Sequence, residues 1–174
     1  MSRNNRDHST DPEREALFEF LAAQRESVLA ILDGLPEPAM RTSVVPSGWT
    51  PLGLVEHLTG AEFFWIQVVL TGDPDSLPPP DDSTEVGEWG PFRTDRPDTD
   101  VIAGYRRQCA DNDATLRDLP LGTPPRCRPA WVGPDDATDL RRIVLHLIEE
   151  TARHAGHLDM ARELLDGRTG LGPR

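Results

Sequence analysis

The chain alternates between stretches where apolar residues recur every three or four positions and stretches dense in proline and glycine. Four of the former read as helices. Thr10-Asp11-Pro12-Glu13 is a start signal: a capping residue, a proline for the first turn, and acids near the positive end of the helix dipole. Leu17, Leu21, Val28, Ile31 and Leu32 follow at helical spacing until Gly34, Pro36 and Pro38 break the pattern, predicting a first helix over residues 11–33. Thr50-Pro51 opens a second helix, with Leu54, Leu58, Ala61 and Trp65 on one stripe and Leu52, Val55, Phe63, Ile66 and Val69 widening it. A helix apolar around so much of its circumference belongs at the centre of the fold. It ends near Thr71-Gly72. A third helix spans 98–118, capped by Asp98 or Asp100, and turns Val101, Tyr105, Gln108 and Leu116 inward. The last begins near residues 136–138 and runs to 166, where Gly167 stops it. Its apolar face comprises Leu140, Val144, Leu147, Ile148, Ala152, Leu158, Ala161 and Leu165.

The connections are long. Residues 72–97 contain Asp73-Pro74, Pro78-Pro79-Pro80 and Asp81-Asp82, yet Trp89 and Phe92 within them predict a lid or flap folded over the helices. Residues 120–136 carry Pro124, Pro125, Pro129 and Pro134. No segment reads as a strand, so the fold class is all-α, a four-helix bundle with long crossover loops. Residues 1–10 are polar and predict a flexible N-terminal arm, residues 11–167 the bundle, and residues 168–174 a C-terminal tail.

Composition narrows the functional classes. The 174 residues hold 18 basic and 30 acidic side chains, a formal net charge of -12, and every basic residue is arginine. Such a chain repels phosphate backbones and anionic lipid, which argues against nucleic-acid and membrane partners. No apolar run approaches the ~20 residues of a spanning helix. Two cysteines, Cys109 and Cys127, do not make a disulfide framework, and the polar N-terminus lacks the apolar core of a signal peptide. Free thiols in a reducing cytoplasm are expected. The apolar helix faces leave a homodimer open.

The chemistry concentrates in His146-Leu147-Ile148-Glu149-Glu150-Thr151-Ala152-Arg153-His154-Ala155-Gly156-His157. Glu150 and His154 are four apart and share one helix face. His146 lies one turn before Glu150, and His157 three residues after His154. On the second helix His57 falls three residues after Leu54, near the stripe that faces the core, where a polar ring needs a partner. If these helices pack side by side, His57, Glu150 and His154 form a three-ligand metal site with an open position. The blander alternatives are surface decoration for an i, i+4 Glu/His pair, a hydrogen-bonded core role for His146, and a flank or supporting role for His157. Asp159, Arg162 and Glu163 read as solvated, or paired on the exposed face.

Three stretches resemble a known family. They are Gly48-Trp49-Thr50-Pro51-Leu52-Gly53-Leu54-Val55-Glu56-His57-Leu58, then Ala61-Glu62-Phe63-Phe64-Trp65, then His146 through Asp159 with Arg162-Glu163 and Asp166-Gly167. Together they resemble the DinB-like superfamily and, within it, the actinobacterial DUF664 branch, related to the mycothiol-dependent maleylpyruvate isomerases and thiol S-transferases. The resemblance implies a DinB-type four-helix bundle holding a divalent metal on His57, Glu150 and His154. Many DinB-like members carry two histidines on the last helix; Glu150 matches the isomerase-like form instead. A carboxylate ligand lowers the charge of the site and makes a bound water or thiol somewhat less acidic than a third imidazole would.

Zinc is the first expectation for the ion, and nickel, iron or manganese also suit this donor set. The resemblance implies mycothiol as a co-substrate, held as its nucleophilic thiolate, and transfer of that thiol to a small electrophile. Arg153 and Arg162 are candidate donors at the rim, with surface salt bridging as the competing role. Trp65 reads as core, Trp49 as a staple at the helix entry, and Trp89 and Trp131 as loop residues that pack or close a pocket. Metal-activated hydrolysis and a non-catalytic metal- or ligand-binding stress protein are the alternative functions. Glu149 is a poor base for the first, because it points about a quarter-turn or more away from Glu150. No catalytic residue beyond the ligand set is identified.

Overall fold

The computed structural model describes residues 11–72, 92–130 and 132–170. Its helices are α1 (Pro12–Leu32), the short α2 (Glu37–Met40), α3 (Pro51–Phe63) continuing as a π-helical stretch (Phe64–Leu70), α4 (Asp98–Leu116) and α5 (Leu140–Asp166). The described residues contain no strand. The N-terminal arm, residues 73–91 of the expected lid with Trp89, Trp131, and residues 171–174 lie outside the described residues.

The local start signals act as the sequence predicts. The Asp11 side chain accepts from the backbone N–H groups of Glu13 and Arg14, and Thr50 accepts from that of Gly53, so each satisfies donors that the first turn leaves unpaired. Two starts differ. α4 has Pro97 at its cap position and no side-chain cap; Asp98 and Asp100 lie inside the first turn, where their charge favours the dipole without a capping bond. α5 starts at Leu140, slightly later than expected, because Asp139 caps it through Arg142 N. The loop backbone completes that end, with Leu140 N bonding Thr123 O and Arg141 N bonding Leu121 O. Gly167 ends α5 at φ 77, a left-handed position that costs a glycine little.

Side-chain anchors fix the helix directions. Arg141 at the start of α5 pairs with Glu13 at the start of α1, and Arg162 near the end of α5 donates to Ile31 O and Asp33 O at the end of α1. These two helices therefore run parallel. α3 and α4 also run parallel to each other, since Glu56 meets Arg96 just before α4 while Gln67 meets Asn112 far along it. α3 runs antiparallel to α5: His57 lies by Glu150 and His154, and Trp65, two turns later, lies against His146. The result is an up-down-down-up bundle, whose parallel α3–α4 pair requires the long crossover.

The core is two apolar clusters. One gathers Val28, Leu32, Leu54, Leu58, Val101, Tyr105 and Leu158; the other gathers Leu21, Ile66, Leu116, Ile143, Val144 and Leu147. Between them lies a polar layer. Arg25 on α1 makes two bonds to Glu62 on α3, at 2.6 and 2.7 Å, and one to Asp113 on α4 at 2.7 Å. Asn112 donates to Glu62 Oε2 at 2.8 Å and to Glu62 O at 2.9 Å. Glu62 is only 1% exposed. The stripe expected along the second helix is thus corrected. Leu54 and Leu58 are followed inward by Glu62, while Ala61 and Trp65 stay half-buried. The π-helical stretch begins two residues later, and its wider turn rotates the following residues so that Ile66, Val69 and Leu70 reach the second cluster.

The solvated reading of Asp159 and Arg162 is also overturned. Both are buried, with Arg162 4% exposed, whereas Glu163 is exposed. Because α1 and α5 are parallel, the last turns of α5 lie beside the unpaired carbonyls that end α1. The Arg162 guanidinium satisfies them and complements the negative end of that helix. This commitment removes Arg162 from the candidate rim donors.

Candidate metal centre

The antiparallel packing of α3 on α5 brings His57 to Glu150 and His154. Glu150 Oε1 lies 3.0 Å from His57 Nε2 and 3.0 Å from His154 Nε2. One donor atom from each of the three residues lies within 4.8 Å of the others. Bonds of ~2.0–2.2 Å to a common ion set neighbouring donors ~3–3.5 Å apart, a spacing close to the two Glu150 distances, so the three side chains could hold one ion. All three are largely buried. Two imidazoles and a carboxylate fit a divalent first-row metal and leave positions open for an exogenous ligand. Hydrogen bonds from His154 and then His57 hold the Glu150 carboxyl far below the usual carboxylate range, against the opposing effect of burial. The carboxylate therefore presents its charged, ligating form throughout the ordinary pH range.

The surroundings are built from neighbouring elements. The Phe92 ring stacks on the His57 ring, with centroids 4.0 Å apart and planes at 17°. The Phe92 backbone reaches this place by passing over Gly53, where a Cβ would stand 2.1 Å from Phe92 O. Thr50 N donates to the same oxygen at 3.0 Å. The bare backbone at Gly53, one turn before His57, is what admits the loop. Phe92 belongs to the segment expected to fold over the bundle, and at this residue the segment does so.

His157 Nδ1 lies 3.2 Å from His154 Nδ1, and the Trp49 ring stands 6.2 Å from that of His157. Burial, followed by the neighbouring His154, lowers the His157 pKa and favours its neutral ring. Arg153 is 55% exposed, pairs with Glu149 and reaches to 3.7 Å from Glu150 Oε2. His146 does not join the cluster. Its ring lies 4.4 Å from that of Trp65, in a cleft of about 440 Å³ also lined by Val132, Asp136, Arg142, Leu145 and Glu149. Burial lowers its pKa, partly opposed by Glu150.

Sequence reasoning missed the Arg25–Glu62–Asn112 layer. A sign of it was available: Arg25 sits four after Leu21 and three before Val28, a charge on the inward stripe of α1. Beside this layer, burial and then the Glu62 charge push the Cys109 thiol up to about 12. That leaves it protonated and without nucleophilic character at neutral pH.

The all-α bundle is of the kind that the DinB-like resemblance implies. The family model described as Mycothiol-S-transferase matches residues 16–167, and the chain belongs to that family. No curated protein and no solved structure matches it. No helix among the described residues is long and apolar enough to cross a membrane.

Proposed function

We propose that the chain binds one divalent metal ion through His57, Glu150 and His154 and transfers a low-molecular-weight thiol, mycothiol by the family's name, to a small electrophile. The observation that carries this reading is the convergence of three ligand-type donors from α3 and α5 in a mycothiol-S-transferase family member. A bound divalent ion would supply the positive charge that favours a thiolate at neutral pH. Zinc is the first choice for this donor set, with nickel, iron and manganese as the competitors.

The chain's own residues supply position and enclosure. Glu150 holds the two imidazoles from opposite helices in one orientation. Phe92 covers one face of His57 and keeps water from it. Arg153, beside Glu150 and open to solvent, offers a cation to an acidic group of the thiol. In the transfer, the sulfur–carbon bond forms as the electrophile's leaving-group bond breaks, and the thiol proton goes to solvent. The free Cys109 and Cys127 fit a reducing cytoplasm, where such a thiol is available.

The test uses untagged protein loaded with each candidate metal and a panel of haloalkyl, haloaryl and epoxide electrophiles, with and without mycothiol. Turnover that requires both metal and thiol, and that falls at least ~100-fold in His154→Ala, is expected. Thiol-independent hydrolysis, or no turnover across the panel by metal-loaded protein, would overturn the transferase reading.

A further inference from the structure

Glu150, His154 and His157 form a line along one face of α5, at positions i, i+4 and i+7. The His154 ring is therefore held at both ends. Its Nε2 points at Glu150 Oε1, 3.0 Å away, and its Nδ1 at His157 Nδ1, 3.2 Å away. Two ring nitrogens at that distance share one proton. An imidazole that ligates through Nε2 carries its proton on Nδ1, so the His154 ring must then donate and His157 must accept. His157 is in turn backed by the Trp49 indole, which precedes the α3 cap and packs with the core cluster that contains Leu54 and Leu58.

We propose that His157 is a positioning residue for the metal centre: its Nδ1 accepts from His154 Nδ1–H and so fixes the ring angle and tautomer in which His154 presents Nε2 as a ligand. The proposal rests on the metal reading above and adds to it a residue outside the three-ligand set. Partners of this kind for ligating histidines are usually carboxylates or backbone carbonyls, and losing one typically weakens metal binding by ~10–100-fold. Here the acceptor is a second imidazole, backed by the Trp49 ring. It also selects its own tautomer: His157 must carry its proton on Nε2, away from His154.

The experiment measures zinc affinity by chelator competition for wild type and for His157→Ala, His157→Phe and His157→Asn. Phenylalanine keeps the ring packed against Trp49 but cannot accept a hydrogen bond. Asparagine places an oxygen near the Nδ1 position. The expected result is a ~10–100-fold loss in the Ala and Phe variants, with Asn within about threefold of wild type. If the Ala variant fails to fold by circular dichroism, the Phe and Asn pair decides alone. In zinc-loaded wild type, 15N spectra of the histidine rings should show His154 protonated at Nδ1 and His157 at Nε2. Unchanged affinity in Phe, or equal losses in Phe and Asn, or the opposite tautomers, would overturn the proposal and leave the metal site standing. A wild type that takes up no zinc, nickel, iron or manganese would overturn the metal reading and this proposal together.

Discussion

Removing the Glu62 carboxylate should cost about as much as a large apolar truncation in the core, and replacing its partner at the same time should recover much of the loss. In Glu62→Leu the Arg25 guanidinium, 7% exposed, loses two bonds of 2.6 and 2.7 Å, and Asn112 loses one of 2.8 Å. What remains for Arg25 is Asp113, whose side chain is 56% exposed, a pairing that water screens to ~0–1 kcal/mol. A buried charge left nearly unpaired costs ~3–5 kcal/mol. For a chain of this size each kcal/mol lowers the melting temperature by ~2–4 °C, giving a fall of ~6–20 °C. The double variant Arg25→Met/Glu62→Leu removes both charges and fills the space with apolar atoms. It should lie at least ~2 kcal/mol above the sum of the two single changes. Urea unfolding of the four proteins, with m-values checked for constancy, completes the cycle. A Glu62→Leu loss below ~1 kcal/mol, or simple additivity, would refute the claim that this layer is a closed ion pair joining α1, α3 and α4.

Other outcomes follow from the same geometry. Cys109, raised from 9.0 to about 12, has ~1000-fold less thiolate than an unshifted thiol, and the higher nucleophilicity of a more basic thiolate offsets this by ~20-fold. Iodoacetamide should therefore label it tens of times more slowly in the native than in the urea-unfolded protein; peptide mass mapping reads this, and equal rates contradict it. His146 has its folded pKa below the ordinary 6.5, so the unfolded chain binds a proton first as the pH falls. Its contribution to stability is present above that pH and is lost on acidification. NMR titration should show a midpoint below 6.5, and one above would contradict the burial argument. Gly53→Ala forces the Phe92 backbone off α3 and exposes His57. It should lower thermal stability by ~1–3 kcal/mol and increase hydrogen exchange at Thr50 N, which bonds Phe92 O. An unchanged Thr50 amide would show that the loop does not rest there.

What was readable from the sequence was what depends on near neighbours. Asp11-Pro12, Thr50-Pro51 and Gly167 punctuate helices by capping chemistry that acts within a turn. Glu150 and His154 share a face because helical geometry requires it, and the contact of His57 is legible because a polar ring at a core-facing position needs a partner, which Glu150 supplies. The unreadable features depend on which helices become neighbours. Arg162 is buried because α5 runs parallel to α1 and meets its carbonyl end, a relation that no local pattern encodes. Glu62 falls four residues after Leu58 and so shares its face, and it can be buried there because Arg25 and Asn112 on neighbouring helices pair with it. Phe92 was legible as a residue that must pack, but its seat on His57 follows from the bare surface at Gly53.

Metal binding by His57, Glu150 and His154 is best tested at the three side chains themselves. Elemental mass spectrometry on untagged wild type and on His57→Ala, Glu150→Gln and His154→Ala tests it directly, with each protein offered zinc, nickel, iron and manganese and then dialysed. The expected result is near-stoichiometric metal in wild type and its loss in the three variants, all still folded by circular dichroism. Wild type without metal, or folded variants that retain it in full, would contradict a metal site at these residues.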